Sequence, residues 1–128
     1  MIAIDTSALI AVLLGEDSAA ACWDALAADR EPRMSAVTLV ETRMVSRKRA
    51  VLEDLEELLE RIPIAIIEAN RETAARVAAV QVKWGKGNHP ARLNIIDCFS
   101  YDVARQFECP LLYVGNDFSQ TDIASALA

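Results

Sequence analysis

The chain has 128 residues, 53% apolar and 25% charged, a balance that suits one domain with a buried core and argues against disorder. No apolar run approaches the ~20 residues of a bilayer span, and Asp5 interrupts an opening that lacks the basic start of a signal peptide, so a cytoplasmic protein is expected. Three scattered cysteines and a single histidine, His89, exclude a zinc site, and the net charge of −6 gives no overall attraction for nucleic acid.

Short apolar runs alternate with helical stretches, the pattern of an α/β domain built on a parallel sheet. Ile2 to Ile4 reads as a strand that ends at Asp5 and passes into a helix, with Thr6 or Ser7 available as its cap. A second helix, from about Ser18 to Ala28, turns Cys22, Trp23, Leu26 and Ala27 inward and is broken by Pro32. Met34 to Ala36 is the second strand. The helix from about Val37 to Arg49 that follows has Val37, Val40, Met44 and Val45 as its core-facing stripe. Leu52, Leu55, Leu58, Leu59 and Ile62 mark an amphipathic helix whose other face carries Glu53, Asp54, Glu56, Glu57 and Glu60. Ile64 to Ile67 is a third strand, and Asn70 caps a helix reaching about Lys83. Gly85 to Pro90 reads as a plain loop, Asn94 starts a helix ending near Phe107, and Leu111 to Val114 is the last strand. The expected fold is a three-layer α/β/α sandwich, a single domain over residues 1–128, with a small, mostly parallel sheet of four to five strands.

Open parallel sheets bind ligands at the carboxyl ends of their strands. Asp5 and Asp117 follow the first and last strands, while Glu41 and Asp97 lie near the starts of helices leaving the sheet. Each has a structural alternative. Asp5 suits a helix cap, Glu41 a solvated helix face, Asp97 the third position after Asn94 in a capping box, and Asp117 a turn. Their joint placement is the signal. Four oxygen ligands without histidine or cysteine suit Mg²⁺, with Mn²⁺ as a substitute, and such an ion activates water at a phosphodiester.

At these residues the sequence resembles the PIN-domain family and, within it, the VapC-type ribonuclease toxins of toxin–antitoxin systems. The resemblance covers nearly the whole chain and rests on IDTSALIA with Asp5, VETRMV with Glu41, LNIIDCFSYDVA with Asp97 and LLYVGNDFSQTDI with Asp117. The segment KGNHPARLN is similar to a loop of these toxins. The resemblance implies an Mg²⁺-dependent endoribonuclease, a homodimer and a VapB-type antitoxin. It makes Asp5 and Asp97 direct metal ligands, has Glu41 complete the coordination directly or through water, and has Asp117 orient or deprotonate the attacking water. Asn116 stands where many relatives carry an acid, which leaves Asp122 as a rival to Asp117, and Ile96 stands where a small residue is expected. Thr6 and Ser7 are candidates to hydrogen-bond the metal-binding acids.

Arg43, Arg47, Lys48, Lys86 and Arg92 are candidates for holding RNA phosphates, against the alternative of solvated surface. Trp84 suits the core or a subunit contact better than stacking on a base. Two rival readings are a catalytically inactive PIN fold serving as a protein-binding module and an Asp phosphoacceptor domain. The second lacks the neighbouring acid such domains need, since Ser7 stands two residues after Asp5.

Overall fold

The structure, a computed structural model, describes residues 1–127. In chain order it contains β1 (Ile2–Ile4), α1 (Thr6–Leu14), α2 (Ala19–Ala28), β2 (Pro32–Ser35), α3 (Ala36–Lys48), α4 (Leu52–Arg61), β3 (Ala65–Ile67), α5 (Arg71–Trp84), α6 (Ile95–Gln106) and β4 (Leu111–Leu112). The strands form one parallel sheet in the order β3-β2-β1-β4. The chain therefore walks outward from β1 through β2 to β3, then crosses over to lay β4 on the other side of β1. The direction reverses between β1 and β4, which makes the crevice beyond their carboxyl ends the expected ligand site.

Alternation along the strands builds the three layers, because successive side chains point to opposite faces. Ile2, Ile4, Met34 and Leu112 pack with Leu9 of α1, Cys22 and Leu26 of α2, and Leu55 and Leu58 of α4. Ala3 and Leu111 face the other way, toward Val77 of α5, toward Cys98, Tyr101 and Val103 of α6, and toward Phe118. Each fully buried leucine in these cores contributes about 1.5–3 kcal/mol relative to exposure. A rudimentary fifth strand borders β4: Leu111 donates its N–H to Ala124 O, and Ala126 donates to Leu111 O, both at 2.9 Å. Among the described residues no helix is long and apolar enough to cross a membrane.

Several local expectations change. Pro32 opens β2 rather than merely breaking the preceding helix, and as a first strand residue it forfeits little. Ala27 lies exposed while Cys22 and Leu26 carry the buried face of α2. The cap of α1 is Asp5, so Thr6 and Ser7 lie inside the first turn. The loop after α5 is not plain. Gly85 and Leu93 form a parallel bridge, Ala91 N–H donates to His89 Nδ1 at 2.9 Å, and Arg92 takes the left-handed conformation at φ 54°.

The largest correction concerns α3. Its apolar stripe does not face the core: Val40 is 57% and Met44 67% exposed. The buried stripe is instead Thr38, Thr42 and Ser46, three hydroxyl residues at four-residue spacing, in a helix packed against α1, α4 and α6. Val37, Val40, Met44 and Val45 join Ile96 around an apolar surface groove flanked by Glu41, Arg47 and Lys48.

Candidate active site

Asp5 leaves β1 in extended conformation and caps α1, its Oδ2 accepting from Ser7 N–H at 3.1 Å and from the Ser7 hydroxyl at 2.6 Å. Its Oδ1 accepts from the Ser100 hydroxyl of α6 at 2.7 Å. Ser7 Oγ in turn accepts from Val114 N–H at 3.0 Å, which ties the β4 exit to the same carboxylate. Asp5 is buried, and three donors compensate the cost of taking its charge out of water.

Asp97 enters from α6. Asn94 caps that helix with its side chain accepting from Asp97 N–H at 2.8 Å, while Asp97 Oδ2 accepts from Asn94 N–H at 3.1 Å. Burial pushes the Asp97 carboxyl up to about 7; the negative charges of Asp5, Asp117 and Glu41 add to the rise, and the Asn94 hydrogen bond opposes it. The structural and functional readings of Asp5 and Asp97 are therefore not exclusive. Asp5 caps α1 and Asp97 closes the capping box of α6, and both face the same cavity.

That cavity, of about 350 Å³, lies beyond the carboxyl ends of β1 and β4 and is lined by Asp5, Thr6, Ser7, Glu41, Asp97 and Asp117, with Glu16 and Asn94 at its walls. Glu41 is half-buried on α3 and Asp117 exposed on the loop after β4. The four acids nominated from sequence thus share one space. Among the described residues no three His, Cys, Asp or Glu side chains are drawn together closely enough to enclose a metal ion as they stand. The arrangement still fits a hard divalent ion, because Mg²⁺ takes one or two carboxylates and retains several waters rather than needing an all-protein cage. A carboxylate has about four lone-pair positions. Asp5 spends two on Oδ2 and one on Oδ1, and Asp97 one on Oδ2, so each keeps an Oδ1 position for a cation.

The other nominated residues separate. Asp122 is a correction: it does not line the cavity but accepts from the Tyr101 hydroxyl at 2.6 Å, which holds its carboxyl below its ordinary range. Asn116 uses its backbone carbonyl to accept from Ser119 N–H and Oγ–H, closing the turn that carries Asp117. Thr6 turns away from the acids toward Thr42 Oγ1 at 3.0 Å. Arg43 pairs with Glu56 of α4, whereas Arg47 and Lys48 flank the α3 groove next to Glu41. Lys86 and Arg92 share a shallow pocket with His89 on the loop after α5. Trp84 is half-buried, donating to Tyr101 Oη at 3.1 Å and packing edge-on against His89, so it belongs to the core.

Comparison with known proteins now adds to the geometry. A family model described as PIN domain matches residues 2–124. The chain belongs to the PIN-domain family. This PIN domain is 42% identical to Ribonuclease VapC28 of Mycobacterium tuberculosis, over 97% of this chain and 96% of that protein. It is 37% identical to Ribonuclease VapC of Mycolicibacterium smegmatis, over 95% and 97% respectively. Among VapC ribonucleases, then, the relationship runs the length of the domain. The fold is shared with M. tuberculosis VapC20, a sarcin–ricin loop cleaving toxin, at a TM-score of 0.75 and 17% identity over 97% of each chain. It is also shared with a chain of a toxin–antitoxin complex from Klebsiella pneumoniae, at 0.73 and 19% over 95% of this chain and 93% of that one.

Of the hydroxyls around Asp5, sequence reasoning nominated Ser7, which does bond it, and missed Ser100 and Thr38. Ser100 touches Asp5 directly, and Thr38 Oγ1 stands 3.1 Å from Ser100 Oγ. Ser100 had a readable signal: it lies three residues after Asp97 on a helix and so on the same face. Glu16, beyond the left-handed Gly15 that ends α1, had none, because its approach to the cavity depends on how the turn folds.

Proposed function

We propose that this PIN domain is the toxin of a toxin–antitoxin pair, an endoribonuclease that hydrolyses RNA phosphodiester bonds in the cytoplasm with Mg²⁺, or Mn²⁺ in its place. The observation that carries this reading is the shared cavity of Asp5, Glu41, Asp97 and Asp117 at the reversal of strand order. Asp5 and Asp97 would hold the ion through their remaining lone pairs, and Glu41 would complete its surroundings directly or through water. When bound, the ion supplies Lewis acidity, generating a nucleophile from water at neutral pH and countering charge on the phosphodiester. Asp117, the exposed acid, accepts the proton of the attacking water at its carboxylate, while Arg47, Lys48, Lys86 and Arg92 hold flanking phosphates. Asp97 would hold the ion as its carboxylate, so at neutral pH metal binding would release its proton. Purified protein freed of any partner should cleave RNA with Mg²⁺ or Mn²⁺ and stop when chelated. Undiminished cleavage in excess chelator overturns the metal mechanism, and the absence of cleavage under all metal conditions favours a binding module.

The partner in this reading is a VapB-type antitoxin. Val12, Leu13 and Trp23 line a surface groove over the buried Leu58, edged by Asp54 and Glu57 with Arg61 beside them. An amphipathic antitoxin segment with basic flanks complements that groove, and an inserted Arg would compete with Mg²⁺ for the acids. Antitoxin affinity that ignores both rising Mg²⁺ at constant ionic strength and Asp97→Asn places its action away from the acids. The homodimer is supported by the apolar face of α3, with Glu41 on one side of the exposed stripe and Arg47 and Lys48 farther along the helix. Met44→Glu should convert a dimer to monomers by light scattering, and an unchanged mass removes this face from the interface.

A further inference from the structure

We infer that Ser100 is a positioning residue of the acid site, a hydroxyl that fixes Asp5 relative to Asp97 and so sets the affinity for the divalent ion. This inference rests on the metal reading above and concerns side chains that sequence motifs did not single out.

Counting protons fixes the direction of the whole chain of hydroxyls. An ionised carboxylate only accepts, so the single proton of Ser100 Oγ goes to Asp5 Oδ1 at 2.7 Å, and that of Ser7 goes to Oδ2 at 2.6 Å. With its proton committed, Ser100 can only accept from Thr38 Oγ1 at 3.1 Å, just as Ser7 accepts from Val114 N–H. Two donor chains therefore converge on one carboxylate, one from α3 through α6 and one from the exit of β4. Ser100 is 1% exposed and Thr38 fully buried, so water has little access to replace either hydroxyl.

Ser100 and Asp97 also share a face of α6, three residues apart. The Ser100–Asp5 bond thus joins the end of β1 to the helix that carries the other proposed ligand. Truncating it leaves Asp5 held only through Oδ2 by Ser7, so Oδ1 loses its anchor and the spacing of the two acids loosens. Groups that orient a metal-binding side chain in this way are typically worth about 10–100-fold in metal affinity.

The test is calorimetric Mn²⁺ binding to the full chain, freed of bound metal and partner, with thermal melts in chelator alongside. Ser100→Ala is expected to weaken Mn²⁺ binding at least about tenfold. Thr38→Val, which removes the donor behind Ser100 while keeping its shape, is expected to weaken binding by a smaller factor. Ser46→Ala is the control, since Ser46 Oγ is equally buried on the same face of α3 but has no hydrogen-bond partner. It should bind Mn²⁺ as the wild type does. Equal losses in all three variants, or a loss in Ser100→Ala matched by collapse of the melting transition, would show a packing role and overturn the assignment. So would unchanged binding in a folded Ser100→Ala or in Thr38→Val. A wild type that binds no divalent ion overturns the metal reading itself, and the assignment of Ser100 with it.

Discussion

The cavity has a closed half and an open half, and they are built differently. Asp5 and Asp97 are buried, each is tied to the N-terminus of a helix, and each has a defined set of donors; Glu41 is half-buried and Asp117 exposed, with no side-chain hydrogen bond on either among the described residues. A buried carboxylate needs its donors because desolvation otherwise neutralises it. An acid at the rim needs none and can change its protonation and position during a reaction. The closed half suits holding an ion in place, and the open half suits handling water and substrate.

Substitutions should divide along this line. Asp5→Asn and Asp97→Asn are expected to abolish measurable RNA cleavage without unfolding the protein, because each asparagine keeps one acceptor oxygen for the backbone N–H at its helix terminus. Asp117→Asn should retain a trace, losing about 10²–10⁴-fold, the scale of a lost general base. Single-turnover cleavage at saturating Mn²⁺ measures both, and equal residual rates for Asp5→Asn and Asp117→Asn would erase the distinction between the two halves.

The pH dependence of stability sharpens the comparison. Asp97 titrates near 7 in the folded chain, above its unfolded value of about 4. Between those values the folded chain keeps a proton that the unfolded chain has released, so stability falls as pH rises from about 4 to 7. In chelator, the melting temperature should drop between pH 5.5 and 8 by several degrees, and Asp97→Asn should flatten that drop and melt higher than wild type at pH 8. Asp117→Asn should leave most of the slope in place. A wild-type profile that is flat or rises over this interval would contradict the burial of Asp97.

The smallest expected effect concerns cations. Arg47→Ala and Lys48→Ala should each reduce the salt dependence of RNA binding by about one unit of slope if they hold a phosphate. Arg43→Ala should change it less, because Arg43 is already paired with Glu56 across to α4. Fluorescence-anisotropy titrations over a salt series in Ca²⁺ separate them, and equal slopes for all three would dissolve the difference.

The acids were legible in the sequence because a strand end and a helix start are local features. Ile2 to Ile4 stops at Asp5, and Asn94 marks the helix that carries Asp97. What surrounds the acids was not legible, since the Ser100–Asp5 and Thr38–Ser100 bonds join residues distant in sequence, and only the packed sheet brings them together. For α3 periodicity was sound and orientation was not. Val37, Val40, Met44 and Val45 do share one side of the helix, and a monomer would ordinarily bury it. Thr38, Thr42 and Ser46 form a stripe of the same period, and the hydroxyls of the first two find partners at Thr6, Ser100 and the Thr38 carbonyl, while that of Ser46 has none among the described residues. Asp122 was ambiguous for a similar reason: only the folded chain shows that Tyr101 has claimed it.

The crossover that seats β4 beside β1 has a consequence for synthesis. The first acid emerges from the ribosome within the opening residues, but Asp5 cannot meet Asp117 until β4 has been translated and has docked against the middle of the sheet. Domains fold as units, and here the unit closes from its carboxyl end. A nascent chain of this topology passes through most of the translation of this domain with its carboxylates apart, and the cavity forms only once β4 has docked.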